Sequence, residues 1–103
     1  MNYKLIVRPE AEIDLSNAFN WYENNRVGLG YDFLLQIDAG FHFIVRNPDA
    51  HSVEYKGTRK HLIKRFPYKI IYILERENII ILGVLHYKQN SDLINERLME
   101  FDG

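Results

Sequence analysis

The chain has 103 residues, of which 47% are apolar and 26% are charged, with a formal net charge of −1. These values are typical of one globular domain and exclude a disordered tail or a fibrous protein. Cysteine is absent, which excludes disulfides, thiolate zinc sites and cysteine nucleophiles. The longest apolar run covers residues 79–85, whereas a membrane-spanning helix needs about 20 residues. We therefore expect a single domain over residues 1–103, located in the cytoplasm and not in a membrane.

The N-terminal half predicts a strand followed by two helices. Residues 3–7 form an apolar run with a β-branched centre, which is typical of a strand. Apolar side chains then recur at helical spacing over 11–22 and again over 33–45. A turn containing Gly28 separates the two helices, and the second should end before Asn47 because proline follows it. Two helices with so short a link should form a hairpin.

The C-terminal half predicts an antiparallel meander and a final helix. Residues 52–56 favour a short strand, and basic and apolar side chains alternate over 59–66 as they do in a strand. Residues 68–75 and 79–87 are rich in β-branched and aromatic side chains, which favour strands. Residues 91–101 have a helical pattern. The order of elements predicts an α+β fold in which the helical hairpin packs on an antiparallel sheet, with a short C-terminal helix.

Basic side chains are concentrated in one segment of this nearly neutral chain. Residues 56–69 hold six of the thirteen lysines and arginines, and residues 55–74 hold no acidic residue. Such a segment can face an anionic partner, although a solvated strand face explains it equally well. The six residues are Lys56, Arg59, Lys60, Lys64, Arg65 and Lys69.

The common catalytic motifs are missing from the sequence. It contains no nucleotide-binding glycine loop, no serine-nucleophile motif and no H-E-x-x-H zinc motif. The four histidines lack metal-ligand spacing. The acidic residues Glu10, Glu12 and Asp14 are interpreted as charges at a helix N-terminus. Trp21 and Tyr22 are interpreted as packing aromatics. We therefore expect no metal and no cofactor, and any catalysis would depend on cations, histidine and tyrosine.

A series of motifs in the C-terminal half has a characteristic order. Arg59 is followed by Phe66-Pro67-Tyr68, by a β-branched run through Tyr72, and by the apolar run that ends at His86. In these features the sequence resembles the RelE/ParE superfamily, the toxins of bacterial type II toxin–antitoxin modules, also called plasmid stabilisation proteins. Asp14-Leu15, Gly28-Leu29-Gly30 with Phe33, and Asn47-Pro48 also lie where this superfamily places such residues.

The resemblance, which extends over nearly the whole chain, implies several further properties. It implies a sheet of four or five strands with the first beside the last, and a small antitoxin protein that covers the working surface. RelE-like members cut mRNA in the ribosomal A site, whereas ParE-like members block DNA gyrase. The sequence leaves open which target applies, whether the protein is an enzyme, and whether it forms a homodimer or a toxin–antitoxin hetero-oligomer.

The chemistry of metal-independent RNA cleavage can be matched to residues of the resemblance. The reaction needs a base for the 2′-hydroxyl, cations for the phosphorane and a proton donor for the leaving oxygen. A planar guanidinium suits the cation role, and histidine suits the acid–base role. The sequence leaves open whether Tyr68 is instead a residue of the core. It also leaves open whether His86 only forms a hydrogen bond with a nearby backbone carbonyl. The catalytic candidates are Arg59, His86 and Lys88, and the candidates for anion or target binding are Lys56, Lys60, Lys64, Arg65 and Tyr68.

Departures from the RelE pattern favour the ParE-like alternative. After the histidine that pattern has two arginines and a proline, but here Gln89 replaces the second cation and Ser91 replaces the proline, while Arg97 is kept. A net charge of −1 is also low for a protein that binds ribosomal RNA. We predict a ParE-like inhibitor of a large target such as DNA gyrase. The alternatives are a RelE-like ribosome-dependent endoribonuclease and a non-toxic binding module, and both toxin hypotheses assume that the cations form one patch.

Overall fold

Two long helices and one sheet account for most of the chain in a computed structural model, which describes residues 2–89 and 91–102. None of the helices in this described part combines the length and apolar character that a membrane span requires. The elements follow the predicted α+β order. They are β1 (Lys4–Val7), α1 (Pro9–Asn25), α2 (Leu29–Arg46), a 3₁₀ turn (Tyr55–Gly57), β2 (Arg59–Leu62), β3 (Tyr68–Glu75), β4 (Asn78–His86) and α3 (Ser91–Asp102).

The strand predicted over residues 52–56 is wrong. This segment is a loop that leads into the 3₁₀ turn. Lys56 and Gly57 have φ values of 51° and 84°, which lie in the left-handed region and are incompatible with an extended strand.

The strand predicted over residues 59–66 is shorter than expected. It ends at Leu62, and Lys64 and Arg65 lie in the connection to β3. Arg65 has a φ of 72°, so the chain turns there rather than continuing as a strand. The strand alternation predicted over residues 59–66 therefore does not extend to Lys64 and Arg65.

The sheet has the order β1-β4-β3-β2. Neighbouring strands from β2 to β4 are antiparallel, as predicted, but β1 pairs with β4 in parallel. The sheet is therefore mixed rather than wholly antiparallel. The long connection between β1 and β4 makes parallel pairing feasible, since a parallel pair needs a crossover of a dozen or more residues. The implied position of the first strand beside the last is confirmed.

Helices cover both faces of the sheet. The hairpin of α1 and α2 packs on one face against a core that includes Phe33, Ile70 and Tyr72. On the opposite face α3 packs against a second core that includes Leu82 and Leu85. Because both faces of β4 are covered, its sequence is almost continuously apolar instead of alternating.

The turn between α1 and α2 is stabilised by a side chain of the first helix. Gly28 has a φ of 91°, which glycine adopts without steric cost. The carboxylate of Glu23 accepts the backbone N–H groups of Gly28 and Gly30, each at 2.9 Å. A negative charge at these otherwise unpaired N–H groups also complements the positive end of the α2 dipole. Glu23 thus fixes the hairpin that forms one wall of the site described below.

A β-bulge interrupts β4 in its second half. Ile71 lies opposite Gly83 and Tyr72 lies opposite Ile81, so Leu82 has no partner on β3. The extra residue reverses the side-chain alternation beyond it. On the other side of β4, β1 ends opposite Ile81, which leaves the bulged segment with an open edge.

Asp14 of α1 and Arg97 of α3 meet at this open edge. Both terminal nitrogens of Arg97 donate to the carboxylate of Asp14 at 2.8 Å, and Nη1 also donates to the carbonyl oxygen of Leu82 at 3.0 Å. Oδ2 of Asp14 accepts the backbone N–H of Val84 at 2.9 Å. Gly83 leaves the necessary room, since a Cβ there would lie 2.9 Å from Nη1. The ion pair therefore connects the helices of opposite faces and satisfies the backbone of the bulge.

The loop between α2 and β2 is fixed by a buried hydroxyl group. Tyr72 is fully buried, and its hydroxyl donates to the carbonyl oxygen of Pro48 at 3.0 Å. We predict that Tyr72→Phe lowers the free energy of unfolding by about 1–2 kcal/mol, because a buried carbonyl loses its partner. Urea denaturation measures the change. Tyr31→Phe is the matched control, since Tyr31 is 62% exposed, and an equal loss in both variants would contradict the assignment.

Candidate functional site

A cavity of about 540 Å³ lies between α1 and the adjoining ends of β3 and β4, and we call it the Trp21 cavity. It combines aromatic walls with a few polar groups, which is the usual composition of a binding site. Its lining residues are Asp14, Asn17, Ala18, Trp21, Tyr22, Pro67, Tyr68, Val84, His86 and Gln89.

Two of the predicted site residues, Tyr68 and His86, face each other across β3 and β4. Their rings make an edge-to-face contact with centroids 5.4 Å apart. Nδ1 of His86 accepts the backbone N–H of Lys88 at 3.1 Å, so the neutral imidazole carries its proton on Nε2. Gln89 accepts the backbone N–H of His86 at 2.7 Å. The imidazole is thereby oriented, and a neutral side chain lies where the RelE pattern has a cation.

The hydroxyl of Tyr68 is suited to donate a hydrogen bond rather than to act as a base. Burial raises the pKa of Tyr68, and the negative charge of Asp14 raises this pKa further. The ring also contacts Tyr22 and Phe33, with centroids 6.1 and 5.2 Å away. Tyr68 therefore belongs both to the core and to the cavity wall, the two roles between which the sequence did not decide.

Trp21 does not have the packing role that the sequence predicted for it. Its side chain is 61% exposed, whereas that of Tyr22 is 9% exposed. The indole contacts the ring of Tyr22 edge-to-face at 5.0 Å and lines the cavity. A large exposed aromatic beside a cavity is typical of an anchor for a protein partner.

Arg59 is separated from His86 along the sheet. The partners of these two residues on β3 are four residues apart, which corresponds to about 13 Å at about 3.3 Å per residue. The guanidinium of Arg59 donates to the carbonyl oxygen of His51 and lies 3.7 Å from the carboxylate of Asp49. Its contacts fix the loop before β2 and do not reach the Trp21 cavity.

Two of the predicted cations, Lys56 and Lys60, lie beside α3. Nζ of Lys56 donates to the side chain of Asn95 in α3 at 2.7 Å. Lys60 lines a second cavity, of about 260 Å³, together with Lys69 and the first residues of α3. These lysines occupy the face of the sheet opposite the Trp21 cavity.

The remaining predicted cations are in two further places. Lys64 is exposed in the turn before β3, and Arg65 lies 3.7 Å from Asp32 of α2, with its guanidinium over the ring of Phe66. Lys88 is exposed directly after His86. The expectation of a single cationic patch is therefore wrong. The predicted residues separate into the Trp21 cavity, the α3 face, the β2–β3 turn and, for Arg59, the loop before β2.

Comparison with known proteins identifies the family of the chain. A family model described as ParE toxin of the type II toxin–antitoxin system parDE matches residues 5–91. The chain belongs to the ParE toxin family. It is accordingly a toxin component of a type II toxin–antitoxin system, as the sequence resemblance predicted.

Among solved structures, this ParE-family chain is similar to one described as a chromosomal ParDE TA system from P. aeruginosa. The TM-score is 0.72 at 19% sequence identity, and the match covers 82% of this chain and 95% of the other. At this identity the likeness concerns the fold. No curated protein sequence matches the chain.

A histidine pair of the ParE-family chain was not predicted as a site. Nε2 of His51 and Nδ1 of His61 share a hydrogen bond of 2.9 Å, and the ring of Phe43 stacks on His61 with centroids 5.0 Å apart. The pair joins the loop before β2 to that strand. The two residues belong to no motif, and a loop histidine and a strand histidine ten positions apart give no periodic signal.

We predict that the histidine pair makes the stability of this ParE-family toxin depend on pH. Burial, followed by the proximity of His51, lowers the pKa of His61 below 6.5. The unfolded chain therefore binds more protons just below pH 6.5, and the free energy of unfolding should decrease as the pH falls through this range. Urea denaturation between pH 7 and pH 5 should show a smaller decrease for His61→Asn. The same pH dependence in both proteins would contradict this prediction.

Proposed function

We propose that this ParE-family toxin inhibits growth by binding DNA gyrase stoichiometrically, acts in the cytoplasm, and is neutralised by a cognate antitoxin. Family membership supports the toxin role. The proposal of gyrase rests on the resemblance to ParE-like toxins, which block that enzyme. The structural observation that favours binding over cleavage is the separation of Arg59 from His86.

Cleavage of RNA would require a cation and an acid–base group at the same phosphate. The backbone positions of Arg59 and His86 are about 13 Å apart along β3. Arg59 is also held by the carbonyl of His51 and by Asp49, so moving it would break the contacts that fix a loop. This geometry favours a toxin that acts by binding.

A RelE-like nuclease is the second candidate function, and the oriented imidazole of His86 favours it. With Nδ1 accepting the N–H of Lys88, Nε2–H can donate a hydrogen bond to a leaving oxygen, whereas transfer of a proton to that oxygen would require the imidazolium form. The ring of Tyr68 contacts the imidazole of His86, and the exposed Lys88 follows His86 by two residues in the sequence. His86 and Lys88 therefore remain the catalytic candidates of this alternative.

The Trp21 cavity is the surface that we propose for contact with the target. An exposed indole, the buried Tyr22 and the half-buried Tyr68 provide apolar area, while His86 and Asn17 provide hydrogen-bonding groups at the same opening. Interfaces of proteins depend on such aromatic anchors within a polar rim. An antitoxin that covers this cavity would block the target directly.

A supercoiling assay tests the proposed target. We predict that purified protein inhibits DNA gyrase with an end point that rises in proportion to the gyrase concentration, because the inhibitor is consumed by binding. A translating extract treated with the same preparation should contain no new mRNA cuts. Expression should stop growth, and co-expression of the neighbouring gene, if it encodes the antitoxin, should restore it.

Three results would contradict the proposal in different ways. Unchanged supercoiling at a large molar excess would exclude gyrase as the target. Cuts in mRNA that disappear in His86→Ala would favour the RelE-like alternative. Normal growth after induction without antitoxin would indicate a non-toxic binding module.

A single substitution tests the contact surface. We predict that Trp21→Ala weakens inhibition of the target at least about tenfold, since truncation of an anchor residue often costs 2 kcal/mol or more. Leu35→Ala is the control, because Leu35 is 66% exposed and lies on α2 outside the Trp21 cavity. Both variants should keep nearly wild-type stability in urea denaturation. Equal inhibition by the two variants would remove Trp21 from the interface.

A further inference from the structure

Three aromatic rings form one wall of the Trp21 cavity. The rings of Trp21 and Tyr22 are in edge-to-face contact with centroids 5.0 Å apart, and those of Tyr22 and Tyr68 lie 6.1 Å apart. Because Trp21 is 61% exposed, much of the indole surface remains open to a ligand. The faces of aromatic rings carry partial negative charge and attract cations, and tryptophan does so most strongly. This wall therefore favours a positively charged ligand.

The charged groups at the cavity favour the same kind of ligand. Within the described part of the chain, the lining residues include the carboxylate of Asp14 but neither a lysine nor an arginine. Arg97 approaches Asp14 from α3, which lies on the opposite face of the sheet. Burial and the charge of Asp14 raise the pKa of Tyr68, so the field of this carboxylate reaches the cavity wall in spite of its ion pair. An anionic ligand would be opposed by this field.

Neutral hydrogen-bond acceptors complete the cavity and distinguish among cations. The side-chain carbonyl of Asn17 and the hydroxyl oxygen of Tyr68 can each accept a hydrogen bond. A guanidinium group offers several N–H donors in one plane, stacks on an aromatic ring and is weakly hydrated, whereas an ammonium group is compact and strongly hydrated. A volume of about 540 Å³ also leaves room for the aliphatic stem of the side chain. These features favour arginine over lysine, and an aliphatic side chain would leave the acceptors unpaired.

We propose that an arginine side chain of the protein target enters the Trp21 cavity and stacks its guanidinium on the indole. This inference rests on the contact surface proposed above and adds the chemistry that the surface recognises. It applies to DNA gyrase or to another protein, because the recognised group is one side chain. Arginine is one of the residues that most often act as anchors in protein interfaces.

Binding of amino-acid probes to the intact protein tests the inference. Trp21 is the single tryptophan of the chain, so its fluorescence reports on the cavity directly. The probes are the α-N-acetylated amides of arginine, citrulline, lysine and leucine, and citrulline has the shape of arginine without the charge. We expect the arginine probe to change the emission of Trp21 and to bind at least about fivefold more tightly than the citrulline probe, because of the cation–π contact. The lysine and leucine probes should also bind more weakly than the arginine probe.

A pair of substitutions on α1 separates a local effect of charge from a general one. Asn17 and Ser16 are adjacent, exposed and within the described residues, and of the two Asn17 lines the Trp21 cavity. Asn17→Lys places a like charge beside the guanidinium, and we expect it to weaken binding of the arginine probe at least about tenfold. Ser16→Lys changes the net charge equally and should weaken binding less than about twofold, because water and salt screen an exposed charge.

Three results would overturn the inference. They are an unchanged emission of Trp21 with the arginine probe, a citrulline, lysine or leucine probe that binds as tightly as the arginine probe, and equal weakening by Asn17→Lys and Ser16→Lys. The supercoiling assay separates the inference from the choice of target. Binding of the arginine probe together with unchanged supercoiling would support the arginine site and reject gyrase. Equal inhibition of gyrase by the two variants would retain gyrase and reject the arginine site.

Discussion

The ion pair between Asp14 and Arg97 connects parts of the chain that lie on opposite faces of the sheet. Its side chains are only 14% and 12% exposed, and it provides partners for the carbonyl of Leu82 and the N–H of Val84 in the bulge. The bulge in turn reverses the alternation of β4, so that the end of the strand turns towards α1. Without it, His86 would face α3 and the Trp21 cavity would lose its imidazole.

The cavities on both faces of the sheet depend on this arrangement. On the α1 face Asp14 lines the Trp21 cavity and raises the pKa of Tyr68, so the ion pair contributes to the electrostatics of the site as well as to the fold. On the other face Arg97 fixes α3, whose first residues line the second cavity together with Lys60 and Lys69. Gln89 lines both cavities. A protein of 103 residues can thereby present two chemically different surfaces on one sheet.

Local periodicity predicts the helices and the long strands because each has a regular pattern of buried side chains. The bulge escapes such a prediction, since the run from Ile79 to Leu85 is apolar on both faces and conceals any change of register. Asp14 was interpreted as a helix-end charge, because a partner 83 residues away leaves no local signal. The prediction of a single cationic patch was wrong because neighbouring strand residues such as Arg59 and Lys60 point to opposite faces of the sheet.

A double-mutant cycle on the free energy of unfolding tests the ion pair most directly. The four proteins are the wild type, Asp14→Asn, Arg97→Met and the double variant, compared by urea denaturation. Each single variant leaves a partly buried charge or polar group without its partner, so we predict a coupling energy of at least about 1.5 kcal/mol. Additive effects, with a coupling energy near zero, would show that Asp14 and Arg97 act independently and would contradict the account.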